Sequence, residues 1–162
     1  AIKWAKRRRG SVIWSPFAAF GRRVAELSGL PYYGERGLDD RGRLIDNSRE
    51  AAVVASFAAC STGHNLQRNF SSALVVCPTP DAVGWEQSIA RFHRPGFLGD
   101  SVDVTVRVAC LEHALALDKA LRLAYRAEHS TTIRHTLLAA TRVNFESTPH
   151  LLRSGAPWER RC

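Results

Sequence analysis

At 162 residues and 45% hydrophobic, the chain is long enough to bury one core and lacks the polar bias of a disordered protein. Its 23 Lys and Arg against 15 Asp and Glu leave a net charge of +8, which favours a polyanionic partner, nucleic acid or an anionic membrane surface. Cys60, Cys77, Cys110 and Cys162 form no CxxC pair, which argues against a zinc knuckle or a small disulfide scaffold and fits a reduced, cytoplasmic or nucleic-acid-associated setting.

Residues 1–10 are a basic lead-in, read as a hydrated tail or as a contact to nucleic acid. No signal-peptide core follows Lys6-Arg7-Arg8-Arg9, and no apolar run approaches the ~18 residues that cross a bilayer; the partner expected is nucleic acid and no membrane. Ser11 to Ser15 is a β-rich run stopped by Pro16, and it reads as a buried strand. From Phe17 to Leu27, the residues Phe17, Phe20, Val24 and Leu27 recur at helical steps, and Gly29 and Pro31 end the helix.

Pro31 to Gly34 is a short candidate strand. The Gly- and charge-rich span from Gly34 to Glu50 has weak periodicity and fits a loop or one short helix. Ala51 to Phe57 and Ser72 to Cys77 are continuous apolar runs of strand length, the pattern of strands covered on both faces. Asp81 is placed to cap a helix through Val83, Trp85, Ile89 and Phe92 that stops before Pro95-Gly96. Val102 to Val108 alternates valine with other residues, as a sheet-edge strand does. Leu111 to Glu128 is a long helix carrying Leu115, Leu117, Leu121 and Tyr125, Ile133 to Val143 reads as another, and the tail has no clear period.

Strands alternating with helices predict an α/β fold with a parallel sheet and helices on both faces. In such sheets the functional loops follow the carboxyl ends of the strands. Ser15-Pro16, the Cys60 to Gln67 loop and the Cys77 to Asp81 loop are therefore expected on one edge. The expected division is a lead-in at 1–10, a lobe at 11–110, a helical extension at 111–146 and a tail at 147–162.

Two segments carry chemistry. Thr62-Gly63 follows a buried strand, where a glycine lets backbone N–H groups approach an anion and the threonine adds a hydroxyl; a turn that merely needs glycine explains the same pair. His64, Asn65 and Gln67 add polar groups able to bond a ribose, a phosphate or a neighbouring loop. Arg91 and Arg94 lie three apart, with Gln87 four before Arg91, so the three are predicted to share one helix face opposite Val83, Ile89 and Phe92. Arginines near a helix end also answer its negative dipole, but two permanently charged forks beside a glutamine fit a phosphate clamp. No histidine has a partner at ligand spacing, and no metal site is expected.

Together these segments resemble the second RecA-like lobe of superfamily 2 helicases and translocases, notably the branch with phage helicases and Swi/Snf-type motors. Thr62 to Gln67 is similar to motif V of that family, and Gln87 to Arg94 to motif VI, of form Q-x-x-G-R-x-x-R. The Val12 to Ser15 strand is similar to motif IV, and the likeness spans about residues 11–108. It implies that Arg94, supported by Arg91, is an arginine finger on the γ-phosphate of ATP. It further implies that Gln87, Gly63 and Asn65 lie near the nucleotide, and that Thr62, His64, Gln67 and Ser15 lie along DNA or RNA. Ala90 stands where the motif has glycine, and Phe97 where close relatives have glutamine.

The sequence has no G-x-x-x-x-G-K-[ST] loop and no Asp-Glu pair after a strand, so ATP and Mg would be held mainly by another lobe. With no methionine and a start at Ala1, the chain is expected to be a piece of a longer protein whose N-terminal RecA-like lobe is its partner. The alternative is a non-catalytic basic α/β module that binds nucleic acid through its charge.

Overall fold

The structure is a computed structural model that describes residues 1–57, 63–97, 99–131 and 133–137. These fall into two compact units, one built from residues 1–77 and 87–107, the other from residues 78–86 and 108–162.

The first unit is organised on a parallel sheet of five strands: β1 (Ser11–Ser15), β2 (Tyr32–Tyr33), β3 (Ala52–Ser56), β4 (Ser72–Val75) and β5 (Asp103–Val106). Their order across the sheet is β2-β3-β1-β4-β5. β1 is therefore central, with Ile13 in register with Val54 on one side and Leu74 on the other. Val12, Ile13, Trp14, Val53, Val54, Ala55, Ala73, Leu74 and Val75 have no exposed surface. Contiguous apolar runs produce this pattern, because a strand in the middle of a parallel sheet is covered on both faces. β5 ends the sheet, as its valine alternation predicts, with Asp103 exposed and Val104 half-buried.

The lead-in is ordered. α1 (Ile2–Ala5) buries Ala5 against the core, the Arg8 guanidinium lies 5.2 Å from the Trp4 ring, and Arg8 also pairs with Asp103. After β1 comes α2 (Ala18–Ser28), which ends at Gly29 in the left-handed conformation. Its buried residues are Gly21, Val24 and Ala25, whereas Phe17, Phe20 and Leu27 are 62%, 45% and 61% exposed. The predicted stripe is thus corrected. A Cβ on Gly21 would stand 2.6 Å from Cε2 of Tyr32, so the helix approaches β2 too closely for a large side chain. Periodicity weighs hydropathy and not size, and here size decides which face turns inward.

Residues 34–50 form neither the one short helix nor the plain loop expected. Two single 3₁₀ turns, Glu35–Gly37 and Ile45–Asn47, flank an isolated antiparallel bridge between Leu38 and Leu44. Asp39 holds the connection by accepting from the backbone N–H groups of Arg41 and Arg43 at 2.9 and 2.8 Å. Ile45 is fully buried and anchors the second turn.

α3 (Ala82–Ala90) starts as predicted, with the Asp81 carboxylate accepting the Val83 N–H at 3.0 Å. It ends at Ala90, before Phe92, so Arg91 and Arg94 stand beyond the helix and not on its face. Val83, expected on the apolar face, is 64% exposed. Ile89 and Phe92 are buried, and in the first unit Phe92 meets Trp14 edge to face, with ring centroids 5.1 Å apart.

In the second unit α4 (Leu111–Thr131) buries Ala114, Ala120, Leu121 and Ala124, while Leu115 is 56% exposed. The Glu86 carboxylate accepts from the Thr136 N–H at 2.7 Å and lies 2.9 Å from Nδ1 of His135. The helix predicted from Ile133 to Val143, and the tail beyond it, lie largely or wholly outside the described residues. Among the described residues no helix is long and apolar enough to cross a membrane.

Candidate functional site

The site is built where the connection after β3 meets the connection after α3, both within the first unit. Thr62, like Cys60 and Ser61, lies outside the described residues. Gly63 is exposed and at φ 78°, a conformation that favours glycine. The chain then runs through His64 and Asn65 into a 3₁₀ turn, Leu66–Arg68, which drives Leu66 fully into the core.

Asp46 organises this return. One carboxylate oxygen, Oδ1, accepts the Asn65 N–H at 2.9 Å, and the other, Oδ2, lies 3.4 Å from Nδ1 of His64. The Asp46 carbonyl accepts from Nδ2 of Asn69 at 2.6 Å. His64 is only 8% exposed and is packed against Gly37, where an added Cβ would fall 2.4 Å from Nε2. Gly37 also has φ 66°, so both space and backbone require glycine there.

On the other side, the chain leaves α3 through turns. The Arg91 and Phe92 N–H groups donate to the carbonyls of Ser88 and Ile89 at 3.2 and 3.1 Å. Arg94 is half-buried, and its Nη1 donates to Oδ1 of Asn65 at 3.1 Å. The two predicted motifs are thereby joined by a direct side-chain hydrogen bond. Nε2 of Gln67 reaches the Pro95 carbonyl at 3.5 Å, while its Oε1 is buried with no partner among the described residues.

The electrostatics of the pair are informative. Arg91 is held below the usual arginine range, first by burial and then by the positive charge of Arg94. Asn65 is a neutral acceptor, and among the described residues Arg94 forms no ion pair. The positive charge of Arg94 thus reaches Arg91, and like charges disfavour one another.

The remaining predicted residues are distributed unevenly. Gln87 is exposed, one helical turn before Arg91. Ser15 is 1% exposed and closes a local turn, its hydroxyl donating to the Phe17 carbonyl and accepting the Phe17 N–H at 3.0 and 3.2 Å. His64 and Gln67 are likewise buried, at 8% and 7% exposure. These three side chains face the protein interior, because the turns that position the loop use them as internal struts. Gly63 and Asn65 are exposed. Among the described residues no group of His, Cys, Asp and Glu is arranged to hold a metal ion. Asp46, Gly37 and Asn69 were missed from sequence; the signal nearest to them was the apolar pair Leu44-Ile45 in a polar span.

No protein-family model matches the chain, and no curated protein matches it. Among solved structures it is similar to the C-terminal part of the Fun30 ATPase domain, at 18% identity and a TM-score of 0.49, over 68% of this chain. The chain spans 40% of the length of that neighbour. The fold is that of an α/β protein built on a five-stranded parallel sheet.

Proposed function

We propose that this chain is the second lobe of an ATP-driven nucleic-acid motor, in which Arg94 is the arginine finger and Arg91 supports it. The observation that carries the reading is the juxtaposition of Arg91 and Arg94, with Arg94 oriented by the neutral amide of Asn65. A guanidinium held by a neutral acceptor keeps its full charge for a ligand, and planar forks suit phosphate oxygens. The motif resemblance supplies the identity of that anion, the γ-phosphate of ATP. Magnesium and the remaining phosphates would be held by a partner lobe. Exposed Gly63 and the adjoining backbone, with Thr62, would contact nucleic-acid phosphates, which hold a strand without reading its sequence.

The test is Arg94→Ala in the protein assembled with its partner lobe. Loss of an arginine finger lowers turnover by ~10³ to 10⁵. Nucleic-acid-stimulated ATP hydrolysis is expected to disappear while nucleotide binding persists. Unchanged turnover removes the assignment and leaves the other reading, a basic module that binds nucleic acid without catalysis.

A further inference from the structure

We propose that Asp46 is the positioning residue of this site, acting on Arg94 through Asn65. The inference rests on the reading of Arg94 as the phosphate-contacting arginine. Asp46 lies 48 positions before Arg94 (94 − 46 = 48) in a segment with no motif of its own, yet its carboxylate fixes the residue that Arg94 touches. Three observations converge on it.

First, the carboxylate divides its two oxygens between consecutive residues, Oδ2 beside the His64 ring and Oδ1 on the Asn65 N–H. A charged acceptor on a backbone N–H makes a stronger bond than a neutral one, so the backbone of Asn65 is firmly held. Second, the turn carrying Asp46 is itself anchored, by buried Ile45 and by the 2.6 Å bond from Asn69 to the Asp46 carbonyl. Third, His64 is packed between Asp46 and Gly37, which adds a second hold on the residue next to Asn65. With its backbone fixed, the short Asn65 side chain delivers its Oδ1 to one place. That place is 3.1 Å from Nη1 of Arg94.

The alternative is a purely structural acid that stabilises the loop and leaves Arg94 indifferent. The two differ in coupling. Residues acting as a unit give non-additive effects, whereas independent ones add. Asp46→Asn retains an oxygen acceptor for the Asn65 N–H, while Asp46→Ala removes it.

The experiment has two arms. In the chain alone, the Nε–H signal of Arg94, assigned by its loss in Arg94→Lys, is followed by ¹⁵N NMR relaxation. We expect Asp46→Ala to lower the order parameter of that signal to that of an exposed arginine, and Asp46→Asn to preserve it. An unchanged Arg94 signal in a folded Asp46→Ala chain overturns the inference. In the protein with its partner lobe, Asp46→Ala should lower kcat for ATP roughly tenfold with KM nearly unchanged. The Asp46→Ala/Arg94→Ala double variant should fall no lower than Arg94→Ala alone. Additive losses overturn the inference while leaving Arg94 as the finger. Full turnover in Arg94→Ala, with the NMR effect of Asp46→Ala intact, instead removes the motor reading and leaves Asp46 as the residue that orders Arg94.

Discussion

Nη1 of Arg94 donates a hydrogen bond to Oδ1 of Asn65 at 3.1 Å, although the two residues are 29 positions apart. The contact joins the connection after β3 to the connection after α3 and fixes the direction of a half-buried guanidinium. Because the acceptor is neutral, the orientation is achieved without cancelling the charge, and consequences follow for both residues.

Asn65→Asp should place a carboxylate on Arg94 and turn an orienting hydrogen bond into an ion pair. The site's affinity for anions should then fall, because the guanidinium is already compensated and the added negative charge repels phosphate. Titration of the chain with inorganic pyrophosphate checks this, with Asn65→Asp expected to bind at least severalfold more weakly than wild type. Equal binding would show that the anion does not engage Arg94.

Gly37 gives a test of the support beneath the loop. Gly37→Ala adds a Cβ at 2.4 Å from Nε2 of His64 and also forces a side chain onto a residue at φ 66°. Gly29→Ala imposes a similar backbone strain at φ 71° but meets nothing within 4 Å. The backbone term alone costs about 1–2 kcal/mol. Gly29→Ala should show that loss, and Gly37→Ala should exceed it, since His64 cannot withdraw without disturbing Asp46. Urea denaturation of the two variants side by side measures the difference.

Much of the fold was legible in the sequence because the buried strands announce themselves. Val12 to Trp14, Val53 to Ala55 and Ala73 to Val75 are unbroken apolar runs between turn residues, and each became a buried strand. The face of α2 was not legible, since Gly21 and Ala25 contribute to packing by being small. The end of α3 was misplaced by the apolar step from Ile89 to Phe92, which the chain satisfies with turns instead of helix. At the site, Asn65 and Arg94 stood out from residue type and spacing. Asp46 did not, because its role depends on long-range contacts that leave no local period. His64 and Gln67 were legible as polar groups, but only their burial distinguishes struts from ligand contacts.

Core packing around β1 should be expensive to disturb. Trp14 is fully buried, meeting Phe57 and Phe92 edge to face at centroid distances of 5.5 and 5.1 Å. Trp14→Ala removes the largest side chain of the central strand and leaves a cavity between two aromatic neighbours. Such truncations cost about 3–5 kcal/mol, a large share of the stability of a domain this size. Equilibrium denaturation of Trp14→Phe is the companion measurement, and it should lose distinctly less because most of the volume remains.

Salt dependence separates the arginines that would meet ATP from the cations that would meet nucleic acid. The net charge of +8 predicts DNA binding that weakens steeply as salt rises, because each neutralised phosphate releases counterions. For duplex DNA the slope of log K against log salt changes by about 0.9 per phosphate contact. Arg7 and Arg9 are exposed in the lead-in, next to Arg8, whose charge is already paired with Asp103. Removing Arg7 and Arg9 together should therefore shallow the slope by nearly two contacts, about 1.8. Arg94→Ala should leave the slope unaltered if its anion is the nucleotide, since no DNA phosphate is then lost. A slope shallower by about 0.9 in Arg94→Ala would move that residue from the nucleotide to the nucleic-acid track. Fluorescence anisotropy of a labelled duplex between 50 and 200 mM salt, a span over which such contacts change affinity by about 10³ to 10⁵ when 6–10 are present, resolves the two cases.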